Sequence, residues 1–179
     1  LPAKLKKLIK AAGIGRIDMD GKFVAIKLHF GELGNISYLR PNYAKAVADF
    51  YGAGCRYLQL DDISFAYLCD PEQRKMLKDR GDDPEKQPMI YAGMINKALE
   101  SKPAGMTVSM HLCRGNFRST FVASGGYEPI ADLLFNQVNV DGYFMEWDSD
   151  RAGGFEPLRF LPKGKAVVLG LVPSKTGAL

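Results

Sequence analysis

"MTVSMHLCRGNFRS", residues 106–119, decides how this chain is read. Its first half alternates β-branched or apolar residues with polar ones, the pattern of a β-strand. The run ends in His111, one spacer and Cys113, and "RGN" then breaks it. On a strand, residues i and i+2 share a face. His111 and Cys113 therefore face one ion from a single extended segment, or pack together at the end of a buried strand. The two-residue spacing alone leaves both readings open.

Similar short runs lie on either side. "KFVAIKLHF" (22–30), "CRYLQLDD" (55–62), "GYFMEWD" (142–148) and "AVVLGLV" (166–172) read as further strands. Helical patterns separate them. Residues 40–54 read as a helix with Pro41 in its first turn, 71–100 as helical with a break at "GDDPEKQP", and 128–137 as a helix. Within 88–99, Ile90, Met94, Ile95 and Leu99 are expected on one packed side. Strand–helix alternation predicts an α/β fold with a parallel sheet of about five strands.

The N-terminal residues 2–12 read as a helix with Leu5, Leu8, Ile9 and Ala12 on one face. Lys4, Lys6, Lys7 and Lys10 lie opposite that stripe. The charge is uneven: nine Lys/Arg against four Asp/Glu in residues 1–50, fifteen against sixteen in the rest. The lysines are the solvated face of a surface helix, so no nucleic-acid partner is expected. The chain has 179 residues, 46% hydrophobic and 25% charged, as in a single globular domain. No apolar run approaches the roughly 20 residues that span a bilayer, and "LPAKLKKLIKAAG" lacks the apolar centre of a signal peptide. Cys55, Cys69 and Cys113 form no disulfide framework, which fits a reducing cytoplasm.

In a parallel sheet the carboxyl ends of all strands lie on one side, where α/β folds build their sites. There the strands bring His29 (with Glu32 beyond), Asp61 and Asp62, His111 and Cys113, Glu146 and Asp148, and Ser174 and Lys175. Imidazole and thiolate are preferred zinc ligands, and a carboxylate is an accepted third. Glu146, from the next strand, supplies that third donor. "FGELGN" is glycine-rich but lacks the pattern of a phosphate cradle.

From about Gly52 onward the chain resembles the cobalamin-independent methionine synthase family, in its catalytic C-terminal barrel and its shorter homologues. The resemblance is carried by "AGCRYLQLDD", "AYLCDPEQR", "MTVSMHLCRGNFRS", "SGGYEPIADLLF", "VDGYFMEWD" and "PLRFLPKGKAVVLGLVPSKTG". It implies a (β/α) TIM-barrel-type sheet, here partial, whose carboxyl-end rim binds zinc. It also implies transfer of a methyl group from methyl-tetrahydrofolate to a thiol such as homocysteine. His111, Cys113 and Glu146 match the family's zinc ligands. Asp61 matches the residue that holds the amino group of homocysteine, and Asp62 the acidic residue after it. Arg114 and Arg118, beside the zinc motif, suit either the glutamate tail of a folate or a solvated loop.

The family's remaining zinc ligand, a Cys on the last barrel strand, has no counterpart in this sequence. Nor does its His at "GLVPSKT", so no catalytic acid is assigned. Cys69 and His29 are candidate replacement ligands, but a packed apolar thiol and a hydrogen-bonded strand-end histidine are the stronger readings. Residues 1–51 resemble the start of a domain of unknown function found with ferredoxin-like iron–sulfur modules, through "FVAIKLHFGELGNISYLRPNYAKAVADF". No cluster-binding cysteines accompany that stretch. The expectation is one α/β domain, 1–179, with a chimeric junction near 51–54. A full barrel takes eight strands and about 250 residues, which leaves an open sheet, a partial barrel or half of a pair closed between chains, and exposed parallel edges favour the pair. The alternative is a non-catalytic α/β scaffold that keeps remnants of the zinc site.

Overall fold

The computed structural model describes residues 2–18, 25–29, 51, 54–116 and 120–173. The expected helix at 40–54 lies almost wholly outside them, as do Glu32, Arg118, Ser174 and Lys175.

The described elements run α1 (Pro2–Ala11), β1 (Ala25–His29), β2 (Tyr57–Asp62), α2 (Ser64–Tyr67), α3 (Pro71–Asp79) and α4 (Gln87–Leu99). They continue with β3 (Thr107–Leu112), α5 (Ala131–Gln137), β4 (Gly142–Glu146) and β5 (Ala166–Gly170). The strands form one sheet in the order β1-β2-β3-β4-β5, parallel at every pairing. Consecutive strands are thus spatial neighbours, each pair after β2 joined by a crossover through helix or 3-10 turns. This is the α/β class expected from the alternation, with the order of a partial β/α barrel.

The sheet's two faces differ. Leu58 and Leu60 of β2, Val108, Met110 and Leu112 of β3, and Tyr143 and Met145 of β4 are buried. They share one core with Leu77 of α3, Ile95 and Leu99 of α4, and Leu134 and Phe135 of α5. The alternate positions, Tyr57, Gln59 and Asp61, Thr107, Ser109 and His111, and Phe144 and Glu146, point to the other face. That face is polar, and Tyr57 and Ser109 are hydrogen-bonded across it. A doubly wound sheet would need both faces apolar. One apolar and one polar face match a sheet whose inner side looks into a barrel.

Helix α4 corrects one expectation. Its packed stripe is Pro88, Ala92, Ile95, Ala98 and Leu99, while Ile90 and Met94 are 51% and 42% exposed. Ile95 and Leu99 anchor the stripe as expected. The positions one and two turns before Ile95 hold the buried Ala92 and Pro88, and the larger Ile90 and Met94 face outward.

Two devices fix the helix ends. Asp70 accepts from the amides of Glu72 (2.8 Å) and Gln73 (3.2 Å), capping α3, with Pro71 in the first turn. Its other oxygen accepts from Ser124 N (2.8 Å), tying the loop after β3 to that helix. At the far end of α5, Lys165 Nζ donates to the carbonyls of Phe135 (2.8 Å) and Val138 (2.6 Å).

Candidate functional site

Register places the rim residues. Asp61 pairs with His111 between β2 and β3, His111 with Phe144 between β3 and β4, and Glu146 with Gly170 between β4 and β5. His29 stands opposite Asp61 on β1. Beyond the last β3 residue, Cys113 N still donates to Asp62 O (2.8 Å), so the extended run reaches Cys113.

Asp61 Oδ1 is 2.6 Å from His111 Nδ1. An ionised carboxylate only accepts, so Nδ1 carries the hydrogen and a neutral ring presents a bare Nε2. Nε2 lies 3.8 Å from Glu146 Oε1. Two lone pairs face each other there unless a proton or a metal ion lies between them. Zinc bonds of about 2.0–2.2 Å put a nitrogen and an oxygen ligand roughly 3.4 Å apart in a tetrahedral site. The imidazole and carboxylate therefore fit two positions of such an ion, and Asp61 stands where metal-bound histidines keep a carboxylate partner.

Glu146 is held from its other side. Arg151 Nη2 donates to Glu146 Oε2 at 2.7 Å. The same guanidinium grips Asp148, with Nη2 2.9 Å from both carboxylate oxygens and Nε 3.2 Å from Oδ1. Its plane covers the Phe121 ring at 4.6 Å. This geometry exists because β4 stops at Glu146. Trp147 turns away to donate Nε1–H to Gly154 O (3.0 Å), and a 3-10 turn, Asp150–Ala152, brings Arg151 back over the strand end.

Cys113, the expected third ligand, has its own local partners. Cys113 is half-buried, accepts from Gly115 N (3.3 Å) at its sulfur, and packs against the cluster of Ile63, Ala66, Tyr67 and Ala123. Among the described residues no three His, Cys, Asp or Glu side chains are grouped so as to hold one metal ion. His111 and Glu146 stand together at the rim, and Cys113 lies two residues on from His111, next to Arg114, whose amide is 3.5 Å from Glu146 Oε1. The local amide bond and the apolar cluster hold the sulfur where it is.

Two expected substrate contacts are placed differently. Asp62 belongs to the helix-side register and is 3% exposed. It accepts from Phe65 N (2.9 Å) at the start of α2, and burial pushes its pKa up to about 6. Arg114 is fully buried, with Nε 3.3 Å from Tyr127 Oη and its guanidinium 4.4 Å above the Tyr127 ring. No part of it is open to a folate tail in this arrangement. Cys69 is likewise buried: its thiol donates to Phe65 O (3.5 Å), and burial pushes its pKa up to about 12.

Two residues the sequence did not single out are central. Tyr127 Oη donates to Glu146 O (3.1 Å) and accepts from Glu146 N (3.2 Å), locking the end of β4. Arg151 was missed as well, although its i,i+3 spacing from Asp148 was a usable signal.

A one-sided parallel sheet with titratable side chains at its carboxyl ends defines the class: an α/β protein with a partial β/α barrel. Comparison with known proteins narrows this. Over 138 residues the chain is 49% identical to YxjH and 46% identical to YxjG, two uncharacterized proteins of Bacillus subtilis. Each match takes in 76% of this chain and 37% or 36% of the relative. A crystal structure of a Listeria monocytogenes protein, provisionally named a vitamin-B12-independent methionine synthase, is 40% identical with a TM-score of 0.57. That match covers 76% of this chain and 37% of the solved one. The chain therefore spans little more than a third of the length of the relatives it matches. No protein-family model matches it. The likeness to the solved structure supports the cobalamin-independent methionine synthase family that the motifs resemble.

Proposed function

We propose that this chain carries part of a methionine-synthase-like, zinc-dependent methyltransferase that moves a methyl group from methyl-tetrahydrofolate to a thiol such as homocysteine. The observation that carries the reading is the row Asp61–His111–Glu146, with Asp61 on Nδ1 and Nε2 turned to Glu146 at the carboxyl ends of β2, β3 and β4. The likeness to a protein named as a methionine synthase adds the reaction class.

His111, Glu146 and Cys113 would hold the zinc, and the Gly115 amide that donates to the Cys113 sulfur is compatible with a bound thiolate. When bound, the ion supplies a deprotonated substrate sulfur, whereas a free thiol with a pKa near 8.5 is mostly protonated at pH 7. The chain's own residues prepare the site. Asp61 fixes the imidazole tautomer, and the resemblance gives it the substrate ammonium as well. Tyr127 pins the backbone that carries Glu146. We read residues 1–179 as one α/β domain with a junction near 51–54, working in the cytoplasm; no described helix is long and apolar enough to cross a membrane.

The test is metal content by mass spectrometry on protein purified without added metal, beside His111→Ala. One zinc per chain, lost in the variant, is the expected result. Assays for methyl transfer from methyl-tetrahydrofolate to homocysteine follow from it. No zinc in either protein overturns the metal reading and favours the alternative, a non-catalytic scaffold.

A further inference from the structure

We propose that Arg151, clamped by Asp148, is a positioning residue that fixes which oxygen of Glu146 faces His111. The inference rests on the reading of Glu146 as a ligand, and its geometry stands apart from any metal.

A glutamate side chain at a strand end has three rotatable bonds and two equivalent oxygens. Here the oxygens are made unequal. Oε2 takes a charge-assisted bond from Arg151 (2.7 Å), while Oε1 faces His111 Nε2 (3.8 Å) and lies 3.5 Å from Arg114 N. With Oε2 occupied, Glu146 is presented through one oxygen. A carboxylate that offers one oxygen leaves coordination room that a two-oxygen grip would fill, and catalytic zinc sites keep a position open for substrate.

Arg151 is itself built in. Its side chain is 6% exposed and that of Asp148 7%. Asp148 takes the guanidinium at both oxygens, and Phe121 covers its plane. Its carbonyl accepts from Gly125 N (2.7 Å), so the backbone is anchored to the loop after β3. A planar guanidinium bridges two carboxylates in fixed geometry, which a lysine ammonium does not do. The groups of this network converge on one carboxylate oxygen.

Crystal structures of metal-free wild type and Arg151→Met test the geometry directly. The expected result is Oε1 facing His111 Nε2 in the wild type and a turned or multiply placed Glu146 carboxylate in the variant. An unchanged carboxylate in the variant overturns the proposal. Zinc affinity, read by competition with a chromophoric chelator, is expected to fall about 10–100-fold in Arg151→Met. It should fall no further when the substitution is made in Glu146→Ala, because the arginine acts through that side chain. Equal losses in both backgrounds would show a general structural role and overturn the proposal. Arg151→Lys keeps the charge without the fork and should fall between the two; it carries both measurements if the methionine variant fails to fold. A wild type that takes up no zinc defeats the metal reading, while the metal-free structures still decide this one.

Discussion

Asp61 and His111 are direct cross-strand neighbours, and Asp61 Oδ1 lies 2.6 Å from His111 Nδ1. The contact follows from register, because two strand-end residues that pair in a parallel ladder present their side chains to the same face. It sets the tautomer and so decides which nitrogen is offered to the rim. Asp61→Ala frees the ring to rotate and to exchange tautomers. Zinc affinity should then weaken about 10–100-fold, checked by chelator competition, with His111 and Glu146 still in place.

Asp62, one residue on, predicts a pH dependence of stability. Burial raises its folded pKa from 3.8 to about 6. The native state therefore holds its proton over a range in which the unfolded chain has released it. Stability from this group is intact below about pH 4, declines as pH rises towards 6, and stays reduced above that. Asp62→Asn, which keeps an acceptor for Phe65 N, should be more stable than the wild type at pH 7.5, by on the order of 1–3 kcal/mol. The two proteins should match at pH 4. Urea titrations at both pH values provide the comparison, and equal stability at pH 7.5 would refute the assignment.

Gly125 predicts a steric weak point. Its φ is +115°, and an added Cβ would stand 2.2 Å from the Cys69 carbonyl oxygen. Both the backbone conformation and the close approach require glycine. Gly125→Ala should lose about 2–4 kcal/mol of stability in urea denaturation, from strain and overpacking together. Because Gly125 N also holds Arg151 O, zinc uptake should fall alongside.

The fold was legible where apolar runs were short and separated by helical periods. Each of the five runs contains a strand, and the ionisable residues at their carboxyl ends do mark the rim. Strand limits were less so: Arg56 and Asp148 have strand-like neighbours, but the first precedes β2 and the second belongs to the turn after β4. The packed stripe of α4 differs from the expected one because the large apolar residues Ile90 and Met94 fall off the buried face, which small Ala92 and Ala98 share with Ile95 and Leu99. The site was legible in its donors and not in its pairings. Asp61 with His111 depends on inter-strand register, and Arg151 with Glu146 depends on how the chain turns after Trp147. Neither is written in local periodicity. Asp62 is expected on the rim beside Asp61, although adjacent strand residues point to opposite faces.

The sheet's one-sided cover also divides the rim by rigidity. β2 and β3 lie inside the sheet against the core, while in β5 Val168 and Leu169 are 49% and 37% exposed and that strand is an edge. Backbone amides at a solvated edge open far more often than those of enclosed strands. Among the described strands His111 stands on the central β3, while Asp61 on β2 and Glu146 on β4 each stand one strand from an end of the order. The Tyr127 bonds and the Arg151 clamp gather on Glu146, the one side chain of the three whose strand borders that edge. These bonds hold the Glu146 carboxylate beside the imidazole through Tyr127 and Arg151, by contacts that do not pass through β5.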